Sequence, residues 1–207
     1  MSHQTSINRA PPSLCYSPIK KMRTSLIALC FFLFAYQATS SVIFDTDGEP
    51  VRNAGGAYYL IPVSDELHGG LRPAILGNWP TVILDTNLTH GVPVRFTSPF
   101  KIGIISSTML LNIQFVTHLP VELVWKVGPE VPIGWTVNLS NELPLFGPFK
   151  VVSVERGYKI VYYQDDIVAD VGIVHAGGFY RLLLQNGDPF IFQIKKATGS
   201  SAKMSIV

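Results

Sequence analysis

The chain has 207 residues, of which 14% are charged and 47% apolar, with 17 Gly and 15 Pro; an average soluble protein carries about 25% charged residues. That balance excludes a disordered polyelectrolyte, a coiled coil, a collagen-like chain and a charge-rich helical bundle. The formal net charge of +2 is uneven: four of the 16 basic residues (Arg9, Lys20, Lys21, Arg23) and none of the 14 acids lie in residues 1–41, so the remainder is slightly acidic and offers no basic face to a nucleic acid.

The first element in chain order is a targeting segment. Lys20, Lys21 and Arg23 form a positive start, Leu26–Ala35 an apolar run of ten residues, and Ala38-Thr39-Ser40 a small-residue exit before Ser41. These are the three parts of a secretory signal, and the run falls short of the roughly 20 residues of a membrane span. Met22 is as good a start as Met1. The chain therefore divides into an upstream extension or mis-set start (1–21), a signal peptide (22–40) and one domain (41–207), secreted to the extracellular space or vacuole and free of the membrane once the signal is removed. Both cysteines, Cys15 and Cys30, precede that domain. Its stability must come from burial without disulfides, and cysteine nucleophiles and Cys-ligated metals are excluded.

Strand signals then recur at Ala57–Pro62, Thr81–Leu84, Val92–Phe96, Ile102–Ile105, Leu110–Phe115, Val121–Val127, Trp135–Val137, Phe149–Val154, Tyr158–Tyr163, Gly172–Val174, Tyr180–Leu184 and Phe190–Ile194, each short and rich in β-branched or aromatic residues. Gly69-Gly70, Gly77-Asn78, Gly128-Pro129, Gly147-Pro148, Gly177-Gly178 and Asn186–Pro189 read as turns between them. No stretch has the period of an amphipathic helix. About twelve short strands imply a closed all-β barrel or sandwich. Segments beginning near Val42, Phe96 and Phe149 each run through about four strands, which suggests threefold pseudo-symmetry.

Other constellations give little chemistry. His3, His68, His90, His118 and His175 have no metal-ligand spacing, and no phosphate loop, dinucleotide fingerprint or nucleophile elbow occurs. No cofactor and no metal are expected. Asp165-Asp166 is an adjacent acidic pair and reads as a solvated loop rather than as two carboxylates set across a sugar. Asn87-Leu88-Thr89 and Asn138-Leu139-Ser140 are glycosylation sequons, usable on passage through the secretory pathway.

Two stretches carry a resemblance. Val42-Ile43-Phe44-Asp45-Thr46-Asp47-Gly48-Glu49-Pro50-Val51 leads through Asn53 to Gly55-Gly56-Ala57-Tyr58-Tyr59, a turn set by Asp45, Gly48 and Pro50 ahead of an aromatic strand. Tyr158–Tyr162, Asp170–Ile173, Arg181–Leu184 and Pro189–Ile194 extend the similarity toward the C-terminus. The sequence resembles the plant Kunitz soybean trypsin inhibitor family over residues 42–197. The resemblance implies an all-β β-trefoil, a monomer, whose partner is a trypsin-like serine protease and which is itself no enzyme. It departs from the family in its cysteines, whose places fall near Trp79, Trp125, Tyr163 and Val168, where aromatic contacts would fill the space.

By the same resemblance Ser98-Pro99-Phe100-Lys101-Ile102-Gly103 is the reactive loop, Lys101 the bait, Lys101–Ile102 the bond presented for cleavage, and Asn53 the internal brace. The chemistry agrees. A lysine is an apolar stem ending in a cation, suited to a pocket with a carboxylate at its base. Pro99 and the β-branched Ile102 restrict the backbone, and an asparagine amide offers two donors and an acceptor. Gly103 adds freedom where stiffness is wanted. The rival readings are a trefoil that has lost inhibition and serves in storage, defence or interaction, and an α-fucosidase-like glycosidase, for which no acid/base pair is evident.

Overall fold

The strands follow from short runs of apolar residues spaced by two. In the β-strands Val94–Thr97 and Phe149–Val154, Val94, Phe96, Phe149 and Val151 have no exposed surface, while the intervening Arg95 and Lys150 are partly exposed. A computed structural model describes residues 41–197 and places twelve strands there with no helix: β1 (Tyr58–Pro62), β2 (Gly70–Leu76), β3 (Trp79–Asp85), β4 (Val94–Thr97), β5 (Asn112–Phe115), β6 (Leu123–Val131), β7 (Gly134–Ser140), β8 (Phe149–Val154), β9 (Gly157–Gln164), β10 (Ile167–Ala176), β11 (Phe179–Gln185) and β12 (Phe192–Lys196).

The antiparallel pairings sort these strands into two layers. β1–β4, β4–β5, β8–β9, β9–β12 and β12–β1 pair in turn, and the bridge Leu111↔Phe149 joins the start of β5 to β8. That circuit closes a barrel with no free edge. The hairpins β2–β3, β6–β7 and β10–β11 cap it, and β3, β7 and β11 pair with one another in a triangle. Three equivalent units, β1–β4, β5–β8 and β9–β12, thus each give two strands to the barrel and one hairpin to the cap. This is a β-trefoil, and its units begin one strand later than the sequence repeat suggests.

Inward side chains from all three units make one core. Trp125, 1% exposed, has ring contacts to Phe115 at 5.8 Å and Phe149 at 6.3 Å, and Phe149 continues the row to Tyr162 at 5.9 Å. Each fully buried large side chain contributes about 2–3 kcal/mol of transfer free energy, so this aromatic row serves the stabilising role that disulfides fill in many secreted domains.

Four expectations need correcting. Ile102–Ile105 is not a strand; it belongs to the loop after β4 and joins the rest through isolated bridges such as Arg52↔Ile104. β2 is absent from the expected strands, where Gly69-Gly70 reads as a turn, yet β2 ladders with β3 alone, where the missing N–H of Pro73 breaks nothing. Gly128-Pro129 is not a turn but an irregularity inside β6, between Val127 and Glu130, where the Gly128 backbone approaches the Asn138 amide too closely for a side chain. Of the places where the family's cysteines fall, Trp125 fills buried space, whereas Trp79 is 54% exposed at the β2–β3 tip and Tyr163 and Val168 stand opposite each other across β9–β10, both exposed. The segments 1–21 and 22–40 and residues beyond Ala197 lie outside the described residues.

Candidate functional site

Between β4 and the bridge at Ile104 the chain leaves the barrel as a bow, Ser98 to Gly103. Its feet are fixed by the core. The Phe96 and Ile105 side chains have no exposed surface, the Ile105 N–H donates to the Val51 carbonyl at 2.8 Å, and the Ile43 N–H donates to the Ile105 carbonyl at 3.0 Å. The crest is in solvent: Pro99, Phe100, Lys101, Ile102 and Gly103 are all exposed, with Phe100 at 50% and Ile102 at 53%.

Asn53 fills the inside of the bow, and the turn holding it is built by its neighbours. The Asp45 carboxylate, 7% exposed, accepts from the Asp47 N–H at 3.0 Å and the Glu49 N–H at 2.9 Å, closing the first turn around Gly48, whose φ of +79° suits glycine. The chain then runs past Val51, fully buried, to Arg52, whose N–H donates to the buried Tyr58 hydroxyl at 3.0 Å. Ala54 takes φ 57°, a left-handed conformation that costs a non-glycine residue about 1 kcal/mol or more. It is held by its own N–H donating to the Phe96 carbonyl at 2.9 Å, while the Asn53 N–H donates to the Gly103 carbonyl at 3.0 Å. Two consecutive backbone amides thus tie the entry and the exit of the bow.

The Asn53 side chain completes the arrangement. Its Nδ2 donates to the carbonyls of Ser98 at 3.2 Å, Phe100 at 2.8 Å and Ile102 at 3.0 Å, and its Oδ1 accepts from the Ser98 N–H at 2.8 Å. Two amide protons shared among three carbonyls set the spacing of alternate residues, with the Lys101 carbonyl outside this set and the Lys101 side chain exposed. The arrangement presents an exposed peptide bow, stiffened from within, with one basic side chain at its crest. Such a peptide suits a cleft that takes extended substrates and a cation.

Gly103 causes less concern than the sequence suggests. It lies at the exit, its carbonyl is bonded to Asn53, and a Cβ added there meets nothing within 4 Å. The sequons differ from each other. Asn87 is exposed in the turn after β3, but Asn138 lies in β7 at 4% exposure, with its Oδ1 accepting from the Thr136 hydroxyl at 3.2 Å. The interior leaves no room for a glycan on Asn138, which corrects the sequence reading. Asp165 and Asp166, at φ 52° and 63°, form the exposed two-residue turn between β9 and β10. Among the described residues no group of His, Asp or Glu is placed to hold a metal ion.

Sequence reasoning missed a neighbour of the bow. The segment after β7, Leu143-Pro144-Leu145-Phe146, is exposed, and the Phe146 ring meets the Phe100 ring edge-on at 6.3 Å. Its signal was present as an apolar run with no strand alternation, set between β7 and β8.

Comparison with known proteins gives a consistent outcome. The legume Kunitz family model, described as trypsin and protease inhibitor, matches residues 43–196. The Kunitz-type trypsin inhibitor BrTI of Bauhinia rufa is 44% identical over 163 residues, covering 76% of this chain and 99% of the relative. The Kunitz-type proteinase inhibitor BbCI of Bauhinia bauhinioides is 45% identical over the same span and coverage. Among solved structures, BBKI in complex with bovine trypsin superposes with a TM-score of 0.70 at 44% identity, covering 77% of this chain and all of that one.

Proposed function

The chain belongs to the legume Kunitz family of trypsin and protease inhibitors, and from that premise we propose that it inhibits trypsin-like serine proteases through residues 98–103, with Lys101 in the primary pocket and Lys101–Ile102 as the bond offered to the catalytic serine. It acts as an inhibitor and not as an enzyme.

The observation that carries this reading is the Asn53 side chain bonded to the carbonyls of Phe100 and Ile102, which flank that bond. A substrate dissociates after cleavage because the new amine drifts away. Here the Ile102 amine would remain tethered beside the acyl carbonyl of Lys101, so religation competes with hydrolysis at a high effective concentration. The complex then persists because little loop entropy remains to be lost on docking.

The inhibitor acts outside the cell or in the vacuole: residues 22–40 serve as its secretory signal, and Asn87 is the sequon open to a glycan. Titrating trypsin with the recombinant chain from Ser41 onward tests the reading. Stoichiometric loss of protease activity is expected, and Lys101→Ala should weaken inhibition by about a thousandfold or more, the scale of a central anchor residue. Equal inertness of wild type and variant would remove the bait assignment.

A further inference from the structure

The segment between β7 and β8 is an apolar ridge beside the bow. Leu143, Leu145 and Phe146 are 46%, 73% and 54% exposed, and no charged residue falls between Glu142 and Lys150. Scattered exposed apolar residues need no explanation, but a contiguous run marks a contact surface. The run is also held rigidly. The Asn112 side chain, 3% exposed, donates from Nδ2 to the Pro144 carbonyl at 2.7 Å. Gly147 packs so tightly on the Leu111 carbonyl that a side chain there would collide with it. The Phe149 N–H closes the exit on that carbonyl at 3.3 Å.

These anchors belong to the same part of the barrel as the bow. Asn112 stands opposite Thr97, the last residue of β4 before Ser98. The ridge and the bow therefore rise from adjacent rungs of one ladder, and they touch where the Phe146 ring meets Phe100, the residue just before Lys101.

We propose that Leu145 and Phe146 form a second contact segment of the inhibitor, docking on an apolar part of the protease rim beside the pocket that takes Phe100, and that this segment selects among trypsin-like proteases by the polarity of that rim. The proposal rests on the reading of residues 98–103 as the protease-binding loop. The occupant follows from position: whatever cleft receives Phe100 must bring its rim over Phe146 and the adjoining Leu145. Preorganisation by Asn112, Pro144 and Gly147 means that little freedom is lost when the ridge docks. Phe146 also steadies Phe100, whereas Leu145, the most exposed of the three, can act only by direct contact.

The test measures dissociation rates of the trypsin complex for wild type, Leu145→Ser, Phe146→Ala and Lys101→Ala, with hydroxyl-radical footprinting of Leu145 and Phe146 in free and bound wild type. Leu145→Ser should dissociate about tenfold faster, the scale of one exposed contact that becomes buried, with an unchanged melting temperature, and both side chains should be protected in the complex. Wild-type inhibition that is lost in Lys101→Ala, combined with unchanged dissociation for Leu145→Ser and full oxidation of Leu145 in the complex, overturns this inference alone. A wild-type chain that forms no complex overturns the protease reading and the ridge with it. Self-association of the free inhibitor that shields Leu145 before protease is added also overturns it.

Discussion

Asn53 Nδ2 lies 2.8 Å from the Phe100 carbonyl oxygen, 47 positions further along the chain, and the same nitrogen reaches Ile102 at 3.0 Å. One side chain from the N-terminal turn thus spans the Lys101–Ile102 bond from inside the bow. The contact joins two segments that the barrel brings together, so the rigidity of the loop is a tertiary property.

On the proposed reading of residues 98–103, the side chain at the crest sets the pocket it enters. Lys101→Leu keeps every backbone contact of the bow, since the brace bonds main-chain groups only, three carbonyls and the Ser98 N–H. It replaces a long cationic side chain with a shorter, branched apolar one. Inhibition should shift from trypsin toward proteases with hydrophobic pockets, with a loss against trypsin of about a thousandfold. Inhibition constants against trypsin and chymotrypsin check this, and an unchanged preference would contradict it.

Gly103→Ala should be tolerated. The position has open space around the missing Cβ, and it does not require a left-handed backbone. Restricting the unfolded chain should raise stability by about 0.4–1 kcal/mol, and a stiffer exit should slow dissociation from trypsin. Thermal unfolding and dissociation rates read both effects; a loss of stability would show that the backbone there depends on glycine.

Asp166→Gly should stabilise the fold. Asp165 and Asp166 both occupy left-handed backbone in the β9–β10 turn, a shape for which Asp-Gly is favoured. Relief of about 1 kcal/mol of strain corresponds to a rise in melting temperature of about 2–4 °C for a domain of this size. Calorimetry measures it, and trypsin inhibition should not change.

Acid should weaken the β2–β3 hairpin first. The Arg72 guanidinium donates to the Asp85 carboxylate at 2.7 Å, and that bond, followed by one from the Asn87 N–H, holds the Asp85 pKa below its usual value of 3.8. A lowered folded-state pKa means that the stabilisation is fully present above the unfolded value and is lost as pH falls through the folded one. Asp85→Asn should therefore cost on the order of 1 kcal/mol near neutrality and flatten the acid limb of a stability–pH curve. An acid limb as steep as that of wild type would contradict the assignment.

Much of the fold was legible because its strands depend on local patterning. Phe149–Val154 is short and rich in β-branched residues, buries Phe149 and Val151 at its start, and appears within its predicted bounds. β2 was not legible because edge position, which makes Pro73 harmless, is a property of the sheet and not of the local sequence. Gly128-Pro129 misled for a similar reason, since its tight approach to Asn138 lies across the β6–β7 hairpin. At the site, Asn53 and residues 98–103 were singled out by the family resemblance, and the fold brings them together. The Phe146–Phe100 contact was not, because two loops separated by most of the second unit meet only once the barrel closes.

The most direct measurement follows the Lys101–Ile102 bond by mass spectrometry while wild type and Asn53→Gly are held with a catalytic amount of trypsin. Wild type should stay largely uncleaved with trypsin blocked. Asn53→Gly should keep the fold and its backbone bond to Gly103, yet be cut at that bond as protease activity returns. A glycine variant that resists cleavage and inhibits for as long as wild type would contradict the account.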